Sequence, residues 1–117
     1  MRVEDIARIA YETNRAYCVT LGDMSQNPWD KAFQWQKDSV ISGVKFHRDN
    51  SNITPEDSHQ NWYNEKMQAG WVYGPVKDPE TKQHPCMVSY RDLPDDQKIK
   101  DHLFSSVVEA LLPFCDE

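Results

Sequence analysis

Residues 54–75 read T-P-E-D-S-H-Q-N-W-Y-N-E-K-M-Q-A-G-W-V-Y-G-P and contain the change from helix to extended chain on which the fold depends. Thr54 is a typical N-cap, and the proline and the two acidic residues after it suit the first turn of a helix. Gly70 is a typical helix stop, and Trp71-Val72-Tyr73 are residue types that favour strands. The stretch predicts a helix over residues 55–69 followed by a short β element.

Three further helices are predicted from the spacing of apolar residues. The first ends near Gly22 and carries a stripe of Val3, Ile6, Ala7, Ala10, Tyr17, Cys18 and Leu21. Asn14 falls on that stripe, and we interpret it as a core amide with a hydrogen-bond partner. The second begins at Asn27-Pro28, ends near His47 and carries Trp29, Phe33, Val40 and Val44. The last is opened by Pro94, closed by Pro113 and carries Ile99, Leu103, Val107, Ala110 and Leu111.

Two extended runs flank the charged loop formed by residues 77–82. They are residues 71–75 and 85–90, and runs this short need a partner or a helix to pack against. The sequence therefore predicts a mainly α fold with a minor β element, of the α+β class, in which about four helices accompany a short hairpin or extended pair. The length of 117 residues is that of a single domain, 1–117.

Composition limits the classes of partner. The 13 Lys and Arg against 19 Asp and Glu give a net charge of -6, which disfavours nucleic acid as a partner. The longest apolar stretch, residues 107–114, is too short and too interrupted for a membrane span. Three cysteines without a C-x-x-C pair, and no apolar secretory signal, favour a reduced cytoplasmic protein.

Catalytic signatures are absent, and no cofactor is expected. The sequence has no phosphate-cradling glycine loop, no H-E-x-x-H and no G-x-S-x-G. His84 and Cys86 lie two residues apart, but no third group or second ligand pair accompanies them as catalysis or metal binding requires. We interpret His84 as a hydrogen-bond partner of loop backbone and Cys86 as a small apolar residue, and we predict no catalytic or metal site.

The third helix carries an aromatic face made of His59, Trp62, Tyr63, Lys66 and Met67. Such stripes are usually core, and we predict burial for Tyr63 and Met67. Trp62 is the candidate for stacking on a flat base, an interaction worth about 1–3 kcal/mol in nucleic-acid binders. Cations for the phosphates of such a ligand are available at Lys66, Lys77, Lys82 or Arg91.

An ordered set of motifs resembles the ryanodine-receptor repeat. The set is Gly70-Trp71-Val72-Tyr73-Gly74-Pro75, then His84-Pro85-Cys86, then Leu93-Pro94, preceded by His59-x-x-Trp62. The resemblance covers about residues 52–112. Residues 1–50 resemble the helical leader of stand-alone bacterial and phage versions of the repeat.

The resemblance implies a non-enzymatic binding module and not a channel. It implies binding of an adenine nucleotide or an ADP-ribose-derived signal, as sensor or sink, with Trp62 stacking on the base and Lys77 as the foremost phosphate contact. The candidate ligand-binding residues are Trp62, His59, Lys66, Trp71, Tyr73, Lys77 and Arg91. Those expected to shape the motif are Gly70, Gly74, Pro75, His84, Pro85, Tyr90 and Pro94. A single repeat also suggests a homodimer, and the alternative function is a protein-interaction or structural assembly module without a small ligand.

Overall fold

Four α-helices and one pair of very short strands make up the computed structural model, which describes residues 1–117. The helices are α1 Val3–Thr20, α2 Gln34–Asp49, α3 Pro55–Gln68 and α4 Asp95–Leu111. The strands are β1 Val72–Tyr73 and β2 Gln83–His84. Single 3-10 turns cover Trp29–Lys31, Tyr90–Asp92 and Leu112–Phe114. The predicted fold class is confirmed.

The core lies where α1 packs against α2 and α4. Its fully buried residues come chiefly from the apolar stripe of α1, and the remainder come from the segments that cover it: Val3, Ile6, Ala7, Ala10, Tyr11, Trp29, Val44 and Val108. Helix α3 packs on α2 and α4 away from this core and carries one buried side chain, His59. As a result, α3 borders a cavity and not the hydrophobic core.

Helix α3 begins and ends as its sequence predicts. The Thr54 hydroxyl accepts a hydrogen bond from the backbone N–H of Asp57 at 3.1 Å, and the Asp57 carboxylate accepts one from the N–H of Thr54 at 3.1 Å. This reciprocal capping box satisfies two donors that the helix itself leaves unpaired. At the other end, Gly70 has φ +93°, a left-handed conformation that glycine adopts without a steric penalty.

The two strands pair in parallel, so the expected hairpin is wrong while the expected extended pair is confirmed. Val72 aligns with Gln83 and Tyr73 with His84. The loop between them folds back on itself through an antiparallel bridge from Asp78 to Gln83, which turns β2 to run alongside β1. Residues 85–90, predicted as the second strand, form turns instead. A Cβ on Gly74 would lie 2.6 Å from the Cβ of Gln83, and glycine permits this close approach.

Three details of the predicted helices are wrong. Helix α2 begins at Gln34 and not at Pro28, because Trp29 turns inward onto Tyr11 and its N–H donates to the Glu12 carboxylate at 2.9 Å. Ile99 and Ala110 of α4 are exposed, since only one side of the predicted stripe meets α1. Met67 is also exposed, because no neighbouring element covers the last turn of α3 on that side.

Candidate functional site

A cavity lies between the inner faces of α1 and α2, helices α3 and α4, and the segment that includes β2. It has an inner chamber of about 210 Å³ and an adjoining outer chamber of about 170 Å³. We call the two together the central cavity. Seven residues line both chambers, and they come from five different elements: Tyr11, Asn14, Ser39, Val40, Trp62, His84 and Lys100.

A chain of aromatic rings forms one side of the central cavity. Trp62 stacks on His59 with ring centroids 5.5 Å apart and planes 29° from parallel. The edge of Trp62 meets His84 at 5.1 Å, and beyond it Trp71 approaches both His84 and Trp35. Trp71 is buried and Trp62 is half-buried. His59 covers one face of the Trp62 indole, and the indole lines both chambers of the cavity.

Three lysines line the outer chamber: Lys66, Lys77 and Lys100. The ammonium of Lys66 lies 5.0 Å from the ring centroid of Trp35 and 5.7 Å from that of Trp71. Burial lowers the pKa of Lys66 and of Lys77, as expected for cations held away from water. No lysine of the protein forms an ion pair with a carboxylate. Positive charge therefore converges here without a bonded counterion, in a chain whose net charge is -6.

His84 is a neutral hydrogen-bond donor at this site. Burial, together with the nearby charges of Lys77, Lys100 and Lys66, lowers the pKa of His84 to about 3. Its Nδ1 accepts a hydrogen bond from the N–H of Cys86 at 2.9 Å, so in the neutral ring the proton is on Nε2. That N–H has no protein acceptor. His84 is hydrogen-bonded to backbone, as predicted, but the bond comes from the turn after β2 and not from the charged loop.

His59 and Asp101 form a pair in the wall of the inner chamber. His59 Nε2 donates to the Val88 carbonyl at 2.8 Å, and its Nδ1 lies 3.6 Å from Asp101 Oδ2. Burial raises the pKa of Asp101 to about 7, against the opposing charge of Lys100, and burial lowers the pKa of His59. These pKa changes favour the uncharged form of both groups. His59 therefore serves chiefly to pack against Trp62.

Two amide side chains of the cavity have a buried oxygen without a hydrogen-bond donor. The side chain of Asn14 makes no hydrogen bond, and its Oδ1 is buried. Gln26 donates from Nε2 to the sulfur of Cys18 at 3.6 Å, and its Oε1 is buried without a donor. The predicted satisfied core amide at Asn14 is therefore wrong, because the stripe of α1 faces the cavity at this turn and no donor lies within hydrogen-bond distance of Oδ1.

Most of the predicted ligand-binding residues are brought together, and two are not. Trp62, His59, Lys66, Trp71 and Lys77 all line one or other chamber of the central cavity. Tyr73 is 59% exposed and borders only a neighbouring surface groove, and Arg91 lies in the exposed 3-10 turn before α4, outside the cavity lining. Lys82 donates to the Ala69 carbonyl at 2.7 Å and so closes the end of α3.

The remaining motif residues shape the segment around the site. The Tyr90 hydroxyl lies 3.0 Å from His102 Nε2, and the Pro94 carbonyl accepts the first N–H groups of α4. Pro75 and Pro85 flank the two strands. Burial raises the pKa of the Cys86 thiol, which lies 3.4 Å from Gln97 Oε1.

No group of three or more His, Cys, Asp or Glu residues is placed to hold a metal ion. None of the four helices combines the length and the apolar character that a membrane crossing requires.

The RyR domain family matches the chain over residues 42–114, which is more than half of its length. This protein belongs to the RyR domain family. The matched segment begins inside α2 and contains Trp62, Lys66, Lys77, His84 and Lys100 of the cavity. The other side of the cavity in this RyR domain is built by residues that precede the match, among them Asn14 and Gln26.

Four of the cavity residues that were not predicted as ligand contacts matter for the proposals below. Lys100 is one of two lysines in α4, and only the packing of α4 against α1 distinguishes it. Trp35 lies in the first turn of α2, before the apolar residues of that helix, and its ring stacks parallel to that of Phe33 with centroids 6.4 Å apart. Asn14 is recognisable in the sequence as a polar residue on an apolar stripe, whereas Gln26 lies in a loop, where no pattern distinguishes it.

Proposed function

We propose that this RyR domain binds a small anionic ligand with a planar aromatic group, of the class of adenine nucleotides or ADP-ribose derivatives. The observation that carries the proposal is the convergence of Lys66, Lys77 and Lys100, all without ion-pair partners, on a cavity walled by Trp62 and Trp71. Unpaired cations away from water are costly, and a bound phosphate offsets that cost. The Trp62 indole lines the same chamber as the three lysines and supplies a stacking surface for the base.

The ligand is bound and not converted. Catalysis by His84 and Cys86 needs a thiolate and a free base, but burial raises the pKa of Cys86 and the Cys86 N–H occupies Nδ1 of His84. We therefore propose a sensor or a sink. Chromatography after prolonged incubation with each nucleotide tests this point, and a new product peak would contradict it. Three free thiols suit the reducing cytoplasm as its location.

Calorimetric titration with AMP, ATP, ADP-ribose and cyclic ADP-ribose tests binding directly. We expect saturable heat from at least one of them, and a loss of affinity of about tenfold or more in Lys100→Met, because a charge-assisted hydrogen bond is worth about 1.5–3 kcal/mol. Lys45→Met is the matched control, since Lys45 is exposed on α2 and lies outside the cavity. Flat titrations of the folded protein with all four compounds would refute the proposal.

An assembly role is the second candidate, and an exposed apolar surface favours it. Val72, Tyr73 and Val76 follow α3 closely and are 57%, 59% and 71% exposed. Covering these side chains with a second copy removes them from water, as in a homodimer. Sedimentation of the wild type and of Val76→Ser tests the idea. A monomer at the concentrations used for calorimetry would exclude the homodimer without bearing on nucleotide binding.

A further inference from the structure

The wall of the outer chamber contributed by the N-terminal part of the chain contains two hydrogen-bond acceptors without donors. Asn14 from α1 and Gln26 from the loop after α1 both line this chamber, as do Trp62 and the three lysines. Both amide residues precede the segment matched by the RyR domain family, which begins at residue 42. The cationic side and the amide side of the chamber therefore come from different parts of the sequence.

The unpaired amides have no structural purpose visible in the fold. Buried polar atoms are hydrogen-bonded in the great majority of cases, and the protein leaves only three such side-chain atoms unpaired, of which Asn14 Oδ1 and Gln26 Oε1 are two. Gln26 Nε2 donates to the sulfur of Cys18 at 3.6 Å, and in this orientation its Oε1 has no donor. An apolar residue at either position would avoid the cost of desolvating the oxygen.

We propose that Asn14 and Gln26 are specificity-determining residues, which accept hydrogen bonds from N–H or O–H groups on the uncharged part of the ligand. The inference rests on the proposed nucleotide-binding function and adds to it the chemistry of selection. The lysines of the same chamber take the phosphate and do not distinguish one nucleotide from another, whereas an acceptor left without its donor rejects an analogue that lacks it. Two parts of a nucleotide offer such donors, the amino group of the base and the ribose hydroxyls.

Calorimetry with AMP, IMP and 2′-deoxy-AMP separates these two sources. IMP lacks the amino group of AMP, and 2′-deoxy-AMP lacks one hydroxyl. We expect the wild type to bind at least one of the two analogues about tenfold more weakly than AMP. We expect Asn14→Leu or Gln26→Met to remove that discrimination and to leave the thermal midpoint unchanged or higher, because each substitution removes an unpaired buried oxygen.

The outcomes distinguish this inference from the proposed function. A wild type that binds all three nucleotides alike overturns the inference and leaves nucleotide binding intact, whereas a wild type that binds none of them, and none of ATP, ADP-ribose and cyclic ADP-ribose, overturns both. Retained discrimination in both variants also overturns the inference, as does a fall of the thermal midpoint in both, which would indicate a structural role for the amides. Asn64→Leu is the matched control, because Asn64 is exposed on α3 and lies outside the cavity.

Discussion

Replacement of Asp101 by Asn is expected to make the protein more stable, by an amount that depends on pH. Asp101 lies in the wall of the inner chamber with a side chain only 19% exposed, and burial raises its pKa from 3.8 to about 7. One pKa unit corresponds to about 1.4 kcal/mol, so the rise is equivalent to about 4 kcal/mol at most. Asn has nearly the same shape and keeps a polar group 3.6 Å from His59, but it carries no charge to desolvate.

The sign follows from the protonation of the two states. Below about pH 4 the carboxyl is protonated in both the folded and the unfolded chain, and its titration contributes nothing. Between about pH 4 and pH 7 the unfolded chain loses the proton and the folded chain keeps it, so the wild-type free energy of unfolding falls relative to that of the variant. Above about pH 7 both states are ionised, and the difference stays constant.

Urea unfolding of the wild type and Asp101→Asn at about pH 4, 5.5, 7 and 8.5 measures this difference. We expect the advantage of the variant to grow by about 2–4 kcal/mol across the series. The titratable groups that face Asp101 are Lys100, His59, Cys86 and Tyr90, and the raised pKa of Cys86 and of Tyr90 favours their uncharged forms. Glu80→Gln, at an exposed carboxylate in the loop between the strands that forms no ion pair, is the control and should show no such growth. A difference that does not change with pH would refute the reasoning.

Further expectations concern the cavity and the helix that borders it. Trp62→Ala should weaken AMP binding by about 1–3 kcal/mol in calorimetry, because stacking on the indole is lost, and unchanged affinity would exclude Trp62 as the platform. AMP should bind more weakly at about pH 8.5 than at about pH 7, since its phosphate is largely a dianion over this range and opposes the ionised form of Asp101. Titration in two buffers of different ionisation enthalpy should accordingly detect proton uptake, and proton release would contradict this explanation. Thr54→Ala should lower the free energy of unfolding by about 1 kcal/mol in urea, while Thr54→Ser should retain most of it. Cys86 should react slowly with iodoacetamide in the folded protein, because burial raises the pKa of its thiol, and reaction as fast as in the unfolded chain would contradict that burial.

The parts of the fold that depend on residues close together in the sequence were predictable from the sequence. The capping box at Thr54 and the stop at Gly70 involve side chains and dihedral angles within one helix, and both are present. The start of α2 was not predictable in this way. Pro28 fits a helix start locally, but the packing of Trp29 on Tyr11, eighteen residues earlier in the chain, keeps this segment from joining the helix.

The site residues that were predictable from the sequence are likewise those that lie close together along the chain. Trp62 and Lys66 lie one turn apart on α3, so their shared face was visible as a pattern. Asn14 and Lys100 reach the same cavity from helices at opposite ends of the sequence, and no local pattern contains that contact. The parallel pairing of β1 and β2 depends likewise on how the intervening loop folds back, which the strand residues themselves do not determine.

The distribution of the four tryptophans provides the protein with its own optical reporter. Trp35, Trp62 and Trp71 all line the outer chamber, whereas Trp29 is buried in the core beside Tyr11. A planar ligand in the chamber would quench the emission of the three clustered indoles and leave that of Trp29 as an internal reference. Ligands can thus be screened by intrinsic fluorescence without a label, and Trp29→Phe would leave a signal that comes from the chamber alone.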